Sequence, residues 1–266
     1  MEGELIGHSG CELKLVGGMV VKVSSNLDYN DRLSLQCEKQ KNFKSKYLFT
    51  PKIVDLNYSN NGLFNFSMEY VRGYSFCDYI INKPLIESFK ILDQILEYLK
   101  LNLIKSKSFV SNEIIRSKLF AINKTENIDS QIINFITKNI DHLNIKKGYC
   151  HGDLTFENIM ISKKSVYLID FLDSYINSPL QDISKLYQDF NMLWSFRNKN
   201  SSAIVDIRVK ELEKYLDKTL GLSENDRLVV DILLIMNFLR ILPYSKDINL
   251  KNNLIRNILK IIKKWK

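Results

Sequence analysis

The sequence predicts an α+β fold of two lobes: a small β-rich N-terminal lobe with one helix, and a larger, mainly helical C-terminal lobe. Two patterns favour this division. Alternating apolar and polar residues, typical of strands, dominate the first part of the chain, and apolar residues at helical spacing dominate the rest. The pattern changes near residue 72. We therefore expect one lobe over residues 1–72 and the other over residues 73–266.

The N-terminal lobe is expected to begin with a β-hairpin. CELKLV alternates apolar and polar residues, Gly17 and Gly18 turn the chain, and MVVKVS follows. Residues 29–48 contain neither Pro nor Gly, and their acidic residues precede most of their lysines, as the helix dipole favours. Two more strands are expected on either side of an Asn-Asn-Gly turn at 60–62.

The C-terminal lobe is expected to be mostly helical. Residues 85–104 place apolar side chains on one helical face, and Ser223 with Asp226 resembles a capping box at a helix start. Residues 159–170 predict a short strand, a polar turn and a second strand. Further helices are expected over 111–122, 129–140 and 224–242.

The composition favours a soluble protein with anionic ligands. The 266 residues include 38 basic and 30 acidic side chains, a formal charge of +8. The basic residues form no long block, so nucleic acid is not an expected partner. The four cysteines form no zinc pattern and are expected to be free thiols. No signal peptide or transmembrane segment is expected, because the longest apolar stretch, 228–242, is short and interrupted. We expect a cytoplasmic protein.

The segment GYCHGDLTFENIMI, residues 148–161, contains the polar pattern H-G-D-x-x-x-x-N, and VYLIDF follows it closely. Phosphoryl transfer needs an acid that orients an attacking hydroxyl and accepts its proton. It also needs oxygen ligands that hold Mg²⁺ on nucleotide phosphates. Asp153 can supply the first function, and Asn158 and Asp170 can supply the second. A hairpin between Asn158 and Asp170 would bring them to the same end of two strands.

HGDLTFEN followed by LIDF resembles the catalytic loop and metal-binding segment of the aminoglycoside phosphotransferase and choline kinase superfamily. These are small-molecule kinases with a protein-kinase-like fold. Gly152 and Leu172 fit this branch better than protein kinases, which usually have Arg and Gly there. The resemblance implies a two-lobed kinase-like fold, ATP or GTP with Mg²⁺, Asp153 as the catalytic base, and Asn158 and Asp170 as metal ligands.

Three neighbouring polar residues have mainly structural interpretations. His151 is expected to support the loop, and Asp182 matches the Asp that buttresses the catalytic loop in the superfamily. Asp173 could assist at the metal or substrate, or it could be a helix cap or a surface acid.

A kinase also needs a strand lysine on the nucleotide phosphates and a helix glutamate that holds this lysine. Lys22 lies between apolar residues in VVKV, and Glu38 is the only Glu of the predicted helix that follows. We expect the two side chains to pair. The alternative is that Lys22 points outward, as strand alternation allows.

Two segments could contact the rest of the nucleotide. The loop GHSGCELKL could cover the phosphates with backbone N–H groups around Ser9 and Gly10, although it lacks G-x-G-x-x-G and could be a simple hairpin turn. FSMEYVRG resembles the hinge between the lobes, where backbone groups from Glu69 to Val71 would bind the adenine edge. An ordinary edge strand is the alternative.

The acceptor is less well defined. From residue 191 onward there are 15 Lys/Arg and 8 Asp/Glu, which argues against a polycation such as an aminoglycoside. Choline would need an aromatic box, for which Trp194, Phe196 and Tyr187 are candidates, although such residues are more often core. A hydroxyl of a sugar or amino-alcohol is the leading expectation. A protein kinase and a non-catalytic nucleotide-binding scaffold are the rivals.

The C-terminal LKNNLIRNILKIIKKWK predicts an amphipathic, basic helix with Leu254, Ile258 and Ile261 on its apolar face. It could bind a membrane surface or a partner. The alternative is a last helix docked on the lobe with its lysines in solvent.

Overall fold

The computed structural model describes residues 3–5, 11–199 and 202–266, and it confirms the predicted α+β fold with a small sheet-containing lobe and a larger helical one. The strands are β1 (Gly3–Leu5), β2 (Cys11–Val16), β3 (Met19–Ser24), β4 (Ile53–Tyr58), β5 (Phe64–Glu69), β6 (Tyr74–Ser75), β7 (Ile159–Ser162) and β8 (Ser165–Leu168). The α-helices are α1 (Asn30–Lys41), α2 (Phe76–Asn82), α3 (Leu85–Lys105), α4 (Glu113–Thr125), α5 (Ser130–Ile140), α6 (Pro179–Met192), α7 (Ala203–Leu220), α8 (Glu224–Ile241) and α9 (Ile248–Lys263).

The first sheet has the strand order β1-β2-β3-β5-β4, and its neighbouring strands are antiparallel. The predicted hairpin is β2–β3, and its turn uses Gly17 and Gly18 at positive φ. Every second residue of β3 is buried, so one face of the strand points into the protein. Lys22 lies on this face and pairs with Phe66 of β5. This face and Leu33 of α1 contribute to a small apolar core. Lys22 therefore does not point outward.

Helix α1 is shorter than the 29–48 predicted from sequence, because it ends at Lys41. The Ser45 hydroxyl accepts hydrogen bonds from the backbone N–H groups of Tyr47 (3.1 Å) and Leu48 (3.0 Å). A local turn of this kind competes with helix continuation by giving the amides a different partner.

The larger lobe has its core around α3, α6 and α8. A second sheet, in the order β6-β7-β8, lies in this lobe. The predicted strand–turn–strand is confirmed as the β7–β8 hairpin, whose turn residues Lys163 and Lys164 both have positive φ, as a type I′ turn requires. The hairpin connects the segment that contains Asn158 to the segment that contains Asp170.

Helix α9 is docked on the larger lobe. Its residues Leu254, Ile258 and Ile261 are buried, and the indole N–H of Trp265 donates to Asp231 of α8 at 2.9 Å. The docked alternative for the C-terminal helix is therefore the one observed. Among the helices that the structure describes, none has the length and apolar character needed to span a bilayer.

Candidate active site

Two buried acids of α6 accept hydrogen bonds from the backbone of the predicted catalytic loop, residues 151–158. Asp182 accepts hydrogen bonds from the backbone N–H groups of His151 (2.7 Å) and Gly152 (2.8 Å), as the sequence predicted for a buttressing acid. Asp189, which sequence reasoning missed, accepts from the N–H of Phe156 at 2.6 Å. Burial raises the pKa of Asp182 to about 6 and that of Asp189 to about 7. The backbone of the loop is thus fixed at both ends.

His151 is buried and neutral, which agrees with the supporting role predicted for it. Burial lowers its pKa to about 4. Its Nε2 lies 2.8 Å from the Ile169 carbonyl, and its Nδ1 lies 3.2 Å from the backbone N–H of Asp153. These contacts assign the proton to Nε2, since Nδ1 must accept from an N–H. The ring therefore joins the loop to the residue before Asp170.

Asp153 and Asn158 are in direct contact. The Asn158 side-chain amide donates to the Asp153 backbone carbonyl (2.8 Å) and to its carboxylate (3.1 Å). The other carboxylate oxygen lies 2.9 Å from the ammonium of Lys185, a mostly buried residue of α6. Lys185 was not predicted from the sequence, because its distance from Asp153 along the chain matches no local pattern. The arrangement fixes the Asp153 carboxylate between an amide and a cation.

Asp170 follows β8 and lies close to Asn158, because the N–H of Ile169 donates to the Asn158 carbonyl at 3.0 Å. Its backbone has φ +60, which is uncommon for a residue with a side chain. Its carboxylate contacts the ammonium of Lys22 across 148 residues of chain. Burial alone would lower the pKa of Lys22, but the Asp170 charge reverses this and raises it.

The expected pairing of Lys22 with Glu38 is wrong. No ion pair joins the two side chains in the described structure, and Lys22 pairs with Asp170 instead. Glu38 is exposed, because the buried face of α1 is formed by other residues such as Gln36. Glu38 and its neighbour Lys39 line a pocket. The sequence predicted the helix, but not which of its faces packs against the rest of the protein.

Helix α1 instead contacts the segment after Asp170. The Arg32 guanidinium makes two hydrogen bonds to the Asp173 carboxylate, at 2.8 and 3.1 Å, and Gln36 adds a third at 3.1 Å. Burial would raise the pKa of Asp173, but these hydrogen bonds outweigh it and the pKa is lowered. Lys39 donates to the Leu172 carbonyl at 2.7 Å. Asp173 thus forms an ion pair between the lobes, a function that was not among those considered for it from the sequence.

The proposed nucleotide contacts outside the loop are only partly visible. Ser9 and Gly10 lie outside the described residues. Glu69 ends β5, and its backbone N–H and its carboxylate both bond to the backbone of Lys52. Val71 is half-buried in the irregular stretch before β6. The hinge therefore stays a prediction.

The aromatic box proposed for choline is not formed. Phe196 and Tyr187 are buried in the core, where their rings pack around Phe156 and Phe190. The exposed face of Trp194 carries the Arg197 guanidinium, 4.7 Å from the ring centroid. This stacking leaves no open set of aromatic faces among these candidates.

The donor set fits a nucleotide-bound magnesium ion. No group of three or more His, Cys, Asp or Glu side chains forms a metal site in the described ranges. Mg²⁺ on a nucleotide needs fewer protein ligands, because phosphates and water complete its octahedron. Asn158 directs its N–H groups to Asp153, which leaves its amide oxygen without a hydrogen-bond partner among the described residues. This oxygen and the Asp170 carboxylate are of the type that Mg²⁺ prefers.

Comparison with known proteins finds similarity to one family over part of the chain. The model of the phosphotransferase enzyme family matches residues 98–217, which include the catalytic loop and α6. No curated protein sequence matches the chain. A thermostable mutant of aminoglycoside phosphotransferase APH(4)-Ia, in complex with AMP-PNP and hygromycin B, has a TM-score of 0.70 at 13% identity and covers 99% of this chain and 93% of its own.

Two other solved structures share the fold over almost the whole chain. The streptomycin–ATP–APH(2")-IIa complex has a TM-score of 0.62 at 15% identity, with coverage of 98% of this chain and 91% of its own. A choline/ethanolamine kinase family protein from Mesorhizobium loti has a TM-score of 0.60 at 11% identity, with coverage of 98% and 88%. These comparisons confirm the resemblance drawn from HGDLTFEN and LIDF. The chain therefore has the fold of these kinases, and its residues 98–217 are similar to the phosphotransferase enzyme family.

Proposed function

We propose that the protein transfers the γ-phosphoryl group of ATP or GTP directly to a hydroxyl of a sugar, amino-alcohol or similar metabolite. The observation that carries the proposal is the meeting of Lys22, Asp170, Asn158 and Asp153 in a continuous chain of contacts. These residues come from both lobes and are the groups that phosphoryl transfer requires. Residues 1–72 would form the nucleotide-binding lobe and residues 73–266 the catalytic and substrate-binding lobe.

Each group has a distinct role in this proposal. Asp153 orients the acceptor hydroxyl and accepts its proton. Lys22 holds the nucleotide phosphates, a contact that would replace its present contact with Asp170. Asn158 and Asp170 would hold Mg²⁺, which when bound neutralises charge on the phosphates. Backbone groups from Glu69 to Val71 would bind the adenine. No covalent intermediate on the enzyme is required.

The acceptor class separates this proposal from its alternatives. Two of the similar structures are complexes of aminoglycoside phosphotransferases with hygromycin B and with streptomycin, and another is a choline/ethanolamine kinase family protein. Candidate aromatic residues for a choline box are buried or stacked with arginine, which argues against choline. A non-catalytic scaffold is disfavoured because Lys22, Asp153, Asn158 and Asp170 are all present.

The test is transfer with the full chain, Mg²⁺ and ATP or GTP, against sugars, amino-alcohols and aminoglycosides, with Asp153→Asn beside wild type. We expect the variant to bind nucleotide normally and to lose about 10²- to 10⁴-fold in transfer rate, the usual contribution of a general base. Asp206→Asn, at an exposed site on α7, is the matched control. Undiminished transfer by Asp153→Asn would reject Asp153 as the base. Nucleotide binding without transfer to any acceptor would favour the scaffold.

A further inference from the structure

Two basic side chains from two helices contact the segment that follows Asp170, and a third lies on a helix that packs on one of these helices. Arg32 of α1 bonds twice to Asp173. Arg240, near the end of α8, lies over the ring of Tyr175 with its guanidinium carbon 5.1 Å from the ring centroid. Lys118 lies on α4, which packs on α8. We call these three side chains the basic cluster.

The basic cluster carries more positive charge than its partners neutralise. Neither Lys118 nor Arg240 pairs with a carboxylate in the described ranges, and Asp173 is the acid bonded to Arg32. Burial and the charges of Arg240 and Arg32 lower the pKa of Lys118. Unpaired like charges held together are unfavourable by themselves, and they attract anions.

The basic cluster also lies next to the reacting groups. Asp173 is three residues after Asp170, so their Cα atoms are at most about 11 Å apart. The same segment contacts the catalytic loop directly, since the N–H of Leu172 donates to the His151 carbonyl at 3.1 Å. A small acceptor with a hydroxyl near Asp153 could therefore reach the basic cluster with its other end.

We propose that Arg32, Lys118 and Arg240 form an anion-binding subsite for the acceptor, so that the acceptor carries a phosphate or a carboxylate in addition to its reacting hydroxyl. This inference rests on the proposed function and narrows its substrate class. Arginine forks and a lysine ammonium match both anions through charge-assisted hydrogen bonds. The same charges repel polycations such as aminoglycosides and quaternary amines such as choline.

The deciding measurement is calorimetric binding of matched probes to the full chain saturated with Mg²⁺ and AMP-PNP, which fills the positions of the nucleotide phosphates. The probes are glycerol, glycerol 3-phosphate, glycerate and choline. We expect one or both anionic probes to bind at least roughly tenfold more tightly than glycerol, the effect of one charged hydrogen bond. The two anionic probes distinguish phosphate from carboxylate selectivity.

The variants assign this selectivity to the basic cluster. Lys118→Glu and Arg240→Gln should each remove most of the preference for the anionic probe. Lys124→Glu changes an exposed lysine of the same helix and should leave the preference intact. Arg240→Gln also serves if Lys118→Glu fails to fold. The inference is overturned if the anionic probes bind no better than glycerol, or if Lys124→Glu has the same effect as the cluster variants. AMP-PNP binding is measured first, and its failure counts against the proposed function instead.

Discussion

Gly152 lies against the segment after Asp170, and replacing it with Ala should be strongly destabilising. Its φ of +93 costs a residue with a side chain about 1–2 kcal/mol. The new Cβ would lie 2.7 Å from the Leu172 carbonyl oxygen and 3.0 Å from the Ser174 Cβ. That oxygen accepts a hydrogen bond from the Lys39 ammonium at 2.7 Å. Losing this charged hydrogen bond costs about 1.5–3 kcal/mol. The combined loss is about 2.5–5 kcal/mol.

Urea unfolding of the wild type, Gly152→Ala and Gly221→Ala measures this loss. Gly221, at the end of α7, also has positive φ (+52), but a Cβ there would meet no atom within 4 Å. Gly221→Ala therefore has only the conformational cost, about 1–2 kcal/mol. Phosphoryl transfer should fall in Gly152→Ala, because the substitution displaces Leu172, which lies only two residues after Asp170. Transfer should persist in Gly221→Ala. Equal free energies of unfolding for the two variants would refute the steric argument.

Two further predictions concern the supports of the loop. Burial raises the pKa of Asp182 to about 6, so the native state keeps this proton above the pH at which the unfolded chain releases it, and the contribution of Asp182 to the free energy of unfolding should fall as pH rises from about 4 to about 6. Asp182→Asn should remove this decrease, up to roughly 3 kcal/mol for two pKa units, and unfolding at the two ends of that range would show an unchanged slope if the assignment were wrong. Lys39→Met should cost about 1.5–3 kcal/mol and lower the transfer rate, while Lys41→Met, on the same helix but exposed, should do neither; equal stability of the two variants would contradict the role of Lys39.

The parts of the fold that depend on local pattern could be predicted from the sequence. The β2–β3 hairpin, the β7–β8 hairpin and helix α3 follow from alternation, turn residues and a helical stripe, and each is present where expected. The burial of Lys22 agreed with its apolar neighbours in VVKV. Helix α1 ended early because Ser45 gives two amides a local partner, a competition that propensity and charge order do not reveal.

The parts of the site that depend on tertiary contact could not be predicted in the same way. Glu38 was chosen because it is the only Glu of α1, but the packing of the helix turns it to solvent. Lys185 and Asp189 lie one and two turns beyond Asp182 on α6, and they reach the loop only because α6 passes beneath it. A buried Asp or Lys inside an apolar helix is a signal that could have identified both, since such groups are kept inside only with partners.

The buried acids of α6 explain how a loop of short polar residues keeps one geometry. The backbone N–H groups of residues 151, 152 and 156 have no helix or strand partner, and leaving them unpaired in the interior would be costly. Asp182 and Asp189 accept from all three, so the loop is shaped by carboxylates that never touch the reactants. The desolvation that raises the pKa of both acids is the cost of this arrangement. In the proposed mechanism, Asp153 and Asn158 are thereby held in place before substrate binds, and preorganisation of this kind lowers the barrier to transfer.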